Sequence, residues 1–64
     1  MYFLTLKTND AKFYTNTFNG ENLTSEDLTH ARIFDNKKDA DIHKFMINLN
    51  EFEVKSINEL TNEN

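Results

Sequence analysis

Cysteine, proline and tryptophan are all missing from this chain, and glycine occurs once, at Gly20. Without cysteine there is no disulfide and no thiolate metal site to brace a domain of 64 residues, close to the lower limit for one hydrophobic core. With one glycine there is no phosphate-cradling loop, because such loops need several glycines for their backbone amides to converge. No apolar run approaches the 18 or so residues of a membrane span. The opening Met1-Tyr2-Phe3-Leu4-Thr5-Leu6 has neither a basic leader nor a long apolar core, so a signal peptide is not expected there and a cytoplasmic location is. Clustered positive charge is missing too. Seven Lys and Arg stand against eleven Asp and Glu, a net charge of −4. A phosphate-tracking surface works by displacing counterions with a basic patch, so this balance argues against direct nucleic-acid binding.

Local patterning predicts one α+β domain over residues 1–64: a small, mostly antiparallel four-stranded sheet in the order strand, strand, strand, helix, strand, with one helix packed on one face. Met1 to Thr8 alternates as a strand, with Tyr2, Leu4 and Leu6 on one side and Phe3, Thr5 and Lys7 on the other. Asn9-Asp10 is turn chemistry, and Ala11 to Phe18 reads as the second strand. A two-residue loop there sets Leu6 opposite Phe13; a three-residue loop flips the faces. After Asn19-Gly20, Glu21 to His30 reads as the longest connection, with a capping-box spacing from Thr24 to Asp27 and with Leu23 and Leu28 as its anchors.

The third strand is expected at Ala31 to Phe34, followed by a helix capped by Asn36 and running to Leu49, with Asn50 as its left-handed C-terminal cap. Ile42, Phe45, Met46 and Leu49 fall at helical spacing and are expected to face the core, with Ala40 and Ile47 on an adjacent flank and His43 between the two sets. Phe52 and Val54 then share one face of a returning strand. A further helical turn is plausible around Leu60, and 61–64 should fray.

Candidate chemistry is thin. His30 and His43 lack partners at zinc-ligand spacing, so no metal is expected. Ser25 and Ser56 lack the strained turn of a nucleophile, and no cofactor motif occurs. Asp35, Asp39 and Asp41 crowd the helix start, where dipole compensation accounts for them without catalysis. The clusters Glu26 and Asp27 with Asp35, Asp39 and Asp41, or Glu51 and Glu53 with Glu59 and Glu63, could imitate a phosphate array, but lysines interrupt them.

The run His30-Ala31-Arg32-Ile33-Phe34-Asp35-Asn36-Lys37-Lys38-Asp39-Ala40, with Leu23-Thr24-Ser25-Glu26-Asp27-Leu28 before it, resembles small proteins carried by phages and prophages of low-GC Gram-positive bacteria. The likeness covers about residues 23–57 and departs from the pattern at His43 and Lys44. It implies an accessory protein that inhibits a host or defence protein stoichiometrically, as anti-CRISPR proteins do, and names no target. Together these readings lead to the expectation of a non-enzymatic, homodimeric protein-binding module. The residues expected to meet a partner are Glu26, Asp27, Asp39, Ala40, His43, Ile47, Phe3 and Tyr14. The alternative is a nucleic-acid-associated protein using Lys7, Lys12, Arg32 and Lys55, with Tyr2, Phe3 or Tyr14 as stacking groups.

Overall fold

The computed structural model describes residues 1–58; the turn expected around Leu60, the tail at 61–64 and the acidic residues Glu59 and Glu63 lie outside it. The fold class is the one expected. Strands β1 (Tyr2–Leu6), β2 (Asn9–Phe18) and β3 (Glu21–Ser25) precede helix α1 (Lys37–Met46) and strand β4 (Phe52–Ser56). They form one antiparallel sheet in the order β3-β2-β1-β4.

The third strand is not where the sequence reading put it. Asn19 and Gly20 both take positive φ, 52° and 80°, the signature of a two-residue hairpin turn whose twist matches that of the flanking strands. Such a turn hands the chain straight back into pairing, and Phe18 lies opposite Glu21. What reads as the start of a long connection is therefore β3. The capping residue that follows is Asp27, not Thr24. Its carboxylate accepts from the Thr29 amide at 3.0 Å and the Thr29 hydroxyl at 2.7 Å, which starts a single 3₁₀ turn over Leu28–His30.

The segment expected as a strand, Ala31 to Phe34, survives as one β-bridge between Phe34 and Tyr2. The two residues exchange backbone hydrogen bonds of 2.8 and 2.9 Å, and the Arg32 amide donates to the Tyr14 carbonyl at 2.9 Å. The segment thus ties β1 to β2 without adding a strand to the sheet.

The first hairpin also departs from expectation. Its turn is Lys7-Thr8, and the ladder pairs Leu6 with Asn9 and Thr5 with Phe13, so Asp10, Ala11 and Lys12 bulge out of β2. The Asn9 side chain accepts from the Ala11 amide at 3.0 Å and braces the bulge. The bulge puts Phe13 opposite Thr5 instead of Leu6, on the sheet face away from the helix. There Phe3 and Phe13 pack edge to face at 5.5 Å, and Thr5 is buried with them.

The core on the helix side is built from Leu4, Tyr14, Phe34, Ala40, Leu49 and Phe52, with Tyr2, Leu6, Ile47 and Val54 packed against it. Tyr14 and Phe52 meet edge to face at 5.4 Å, an arrangement that adds about 0.5–1.5 kcal/mol beyond the area it buries. Phe52 and Val54 share this face, as the alternation predicts.

Helix α1 is capped as expected at its start and ends earlier than expected. The Asn36 side-chain oxygen accepts from the Asp39 amide at 2.8 Å. At the other end Asn48, not Asn50, takes the left-handed conformation, with φ 60°. The Asn48 amide donates to the Phe45 carbonyl and the Leu49 amide to the Lys44 carbonyl, at 3.3 and 2.8 Å. This paired closure is the Schellman motif, in which the residue after the left-handed one turns back toward the body. Leu49 consequently leaves the helical wheel and is fully buried under the sheet.

Candidate functional site

That early ending decides which way the helix faces. A wheel extended to Leu49 points Ile42, Phe45 and Met46 inward. With Leu49 removed from the wheel, the stripe that meets the sheet is Ala40, His43 and Ile47: Ala40 is fully buried, and Ile47 packs on the core. A methyl group at position 40 lets the helix backbone approach the sheet closely, which a large side chain would prevent. The expectation that Ile42 and Phe45 are core residues is therefore overturned. Ile42, Phe45 and Met46 are 49%, 84% and 73% exposed. At about 100° per residue these three span an arc of roughly 100° on the side of α1 away from the sheet.

This outward stripe is the candidate site. Lys38, also exposed, stands one turn before Ile42 and so falls on the same side of the helix. Asp41 borders it on the Phe45 side, with its carboxylate 3.1 Å from the Lys37 ammonium. Asp39 borders it on the Met46 side. A second, smaller apolar patch lies on the β2–β3 hairpin arm, where exposed Phe18 and Leu23 share a sheet face through the pairs Phe18–Glu21 and Asn16–Leu23.

On its inner side α1 is held by a polar chain. The Thr17 hydroxyl donates to the Asn22 side-chain oxygen at 2.9 Å, so its own oxygen accepts from the Tyr14 hydroxyl at 2.7 Å. The Tyr14 proton being used there, its oxygen accepts from His43 Nε2 at 3.3 Å. The chain assigns the proton of neutral His43 to Nε2 and leaves Nδ1 as the titrating nitrogen. The His43 ring lies against both Phe34 and Tyr14, with centroids 5.3 and 5.7 Å away. Burial, followed by the positive charge of Arg32, holds the His43 pKa below its ordinary value.

The residues expected to meet a partner are dispersed. Phe3 and Tyr14 are closed inside the domain on opposite sides of the sheet, and Ala40 has no exposed surface. None of the three can touch a partner without unfolding, because the pleat and the close helix approach turn them inward. Ile47 is committed to the core and His43 to Tyr14. Glu26 is exposed and lies 3.5 Å from Lys12. Asp27 is spent on the 3₁₀ turn, where its hydrogen bonds from Thr29 lower its pKa. Asp39 alone of the eight borders the outward stripe. In sequence the stripe cannot be told from a core face, because both have the same spacing.

The aromatics named for stacking on nucleic acid are also drawn inward, Phe3 and Tyr14 wholly and Tyr2 in part. Lys12 and Lys55 sit beside Glu26 and Glu53, and the Arg32 guanidinium lies 5.7 Å over the Phe34 ring. Among the described residues no enclosed cavity forms, no three acidic or histidine side chains gather as metal ligands, and no helix is long and apolar enough to cross a membrane. No family model, curated protein or solved structure matches the chain.

Proposed function

We propose that this chain is a non-enzymatic protein-binding module that docks through the outward face of α1. The observation that carries this reading is the exposure of Phe45, Met46 and Ile42 as one stripe on a capped, well-anchored helix. Leaving such side chains in water forgoes about 1.5–3 kcal/mol for each one fully exposed. For a domain whose whole stability is only several kcal/mol that is a large sum, and a partner surface recovers it. The spacing i, i+3, i+4 is the anchor pattern of a helix laid into a groove.

The resemblance to phage-carried accessory proteins supports a host or defence protein as that partner, bound one to one and inhibited by occupation of its surface. The test is to compare the chain with its Phe45→Ser and Met46→Ser variants in a pull-down from host lysate. A protein that comes down with the chain and is lost with both variants, while their circular dichroism stays unchanged, is the expected result. Retention by both folded variants would refute the reading.

A further inference from the structure

We infer that Asn19-Gly20 is a site of spontaneous covalent modification: opening of the β2–β3 turn lets Asn19 cyclise, and the isoaspartate that results stops the turn from closing again. Water is the one co-reactant needed.

The chemistry is that of an asparagine followed by glycine. The Gly20 amide nitrogen, giving up its proton, attacks Asn19 Cγ; the new C–N bond forms as the side-chain nitrogen leaves as ammonia, and a five-membered succinimide results. Water then opens the ring. Addition at the Cγ carbonyl gives aspartate, and addition at the backbone carbonyl gives isoaspartate, in which the chain runs through the former side chain. A side chain on the following residue crowds the attacking nitrogen, and Gly20 is the only glycine of the chain. No heavy atom beyond its chain neighbours lies within 4 Å of where its Cβ would stand. Other asparagines are also held: the side chains of Asn9, Asn22 and Asn36 accept hydrogen bonds from Ala11, Thr17 and Asp39, and those of Asn48 and Asn50 bond to each other. Asn19, exposed at the tip of the hairpin, has no such bond among the described residues.

The closed turn withholds the reaction. With φ 52° at Asn19 and 80° at Gly20, the pair forms the mirror-image turn of a tight hairpin, in which the ψ of Asn19 is about 30°. At that angle the Gly20 nitrogen lies anti to Cβ across the Cα–C bond, whereas the ring needs the two eclipsed. Cyclisation therefore runs from an opened turn, and little holds the arm shut. Strand β3 lies at the edge of the sheet and has no buried residue. Its ladder with β2 is irregular between Tyr14 and Asn16, and Phe18 and Leu23 are 63% and 42% exposed. Segments of this kind stand at the low end of the range of local opening energies.

The product cannot return. Isoaspartate adds a methylene to the backbone, and the register that sets Phe18 opposite Glu21 depends on a loop of two residues. It also places a new carboxylate beside Glu21. Strand β3 is thereby released, and with it the Asn22 side chain that anchors the outer end of the polar chain through Thr17 and Tyr14 to His43. Aspartate at position 19 leaves the backbone as it was and keeps the hairpin, because Asp-Gly suits the same turn.

The experiment incubates the purified chain at mildly alkaline pH, folded and in urea. Its tryptic peptides, among them the one from Phe13 to Arg32, are followed by mass spectrometry, with isoaspartate labelled by protein isoaspartyl methyltransferase. Asn19 should convert ahead of every other asparagine, and roughly tenfold more slowly in the folded chain than in urea. Asn22→Ala, which removes the bond to Thr17, should speed the folded reaction severalfold, and Asn19→Gly, which keeps the positive φ, should abolish it with the fold intact. In two-dimensional NMR the isolated isoaspartyl chain should lose the amide pattern of β3 while β1 and β4 keep theirs, and the aspartyl chain should lose neither. Conversion at Asn19 no faster than at the other asparagines would overturn the site. Equal rates in the folded chain and in urea would overturn the gating by the turn, and an isoaspartyl chain with β3 still paired would overturn the release.

Discussion

Truncating Phe45 and Leu49 in turn reads out the orientation of α1 directly, because the two residues exchange roles between the wheel and the folded chain. Phe45 is 84% exposed, so Phe45→Ala removes little buried area. At about 25 cal/mol per Å², the small covered part of its side chain is worth less than about 1 kcal/mol. Alanine also favours an exposed helical position by up to about 0.7 kcal/mol. The two effects nearly cancel, and Phe45→Ala is expected to change stability by less than about 0.5 kcal/mol in either direction. Leu49 is fully buried, and Leu49→Ala loses its transfer energy and leaves a cavity, at a cost of about 2–5 kcal/mol. In a domain this short each kcal/mol moves the melting temperature by about 4–8 °C, so Leu49→Ala should lower it by ten degrees or more or prevent folding. Thermal unfolding followed by far-UV circular dichroism measures both. A loss above 2 kcal/mol for Phe45→Ala, or a silent Leu49→Ala, would mean that the helix packs on its other face and that the docking surface does not exist.

The remaining predictions test the supports of that orientation. Asn48 holds φ 60° at the helix end, so Asn48→Gly should be neutral or stabilising and Asn48→Ile should cost about 1–2 kcal/mol in urea unfolding; equal costs would contradict the cap. The Thr5 hydroxyl is buried with no hydrogen-bond partner among the described residues. Thr5→Val keeps the shape and removes that polar atom, so it should leave stability unchanged or raise it by about 1 kcal/mol; a clear loss would show that the hydroxyl is bonded. Burial holds the His43 pKa below 6.5 in the folded chain, so between that lowered value and the unfolded value the unfolded state binds more protons. The contribution is present in full above about pH 6.5, is lost as the pH falls through the lowered value, and then levels off. The difference in unfolding free energy between the chain and His43→Gln, measured across this range, should show that slope and no other.

The fold class was legible in the sequence because it depends on coarse signals that local chemistry sets. Strand alternation at Tyr2, Leu4 and Leu6, the cap at Asn36, and the shared face of Phe52 and Val54 all survive folding. What failed was punctuation. Asn19-Gly20 reads equally as a break or as a two-residue hairpin turn, and only the hairpin reading places the third strand at Glu21 instead of Ala31. Asn48 and Asn50 are equally good left-handed caps in sequence. A cap at Asn50 would keep Leu49 on the wheel and turn Ile42, Phe45 and Met46 inward, whereas the cap at Asn48 releases Leu49. Periodicity also cannot tell a stripe that meets the domain's own core from one that meets another protein, since both bury large side chains at the same spacing. The small residue Ala40 marks the contact stripe, but one alanine carries too little apolar weight to outrank Ile42, Phe45 and Met46 in a periodicity. The site was therefore visible as a pattern and invisible as a surface.

The measurement that tests the docking face most directly is the attenuation of methyl signals by a soluble paramagnetic probe, read on the free chain and again with the captured partner. In the free chain the Met46 and Ile42 methyls should bleach strongly while Leu4 and Leu49 are spared. With the partner bound, Met46 and Ile42 should become protected as well. Protection of Met46 and Ile42 in the free monomer, or their continued bleaching in the complex, would contradict the account.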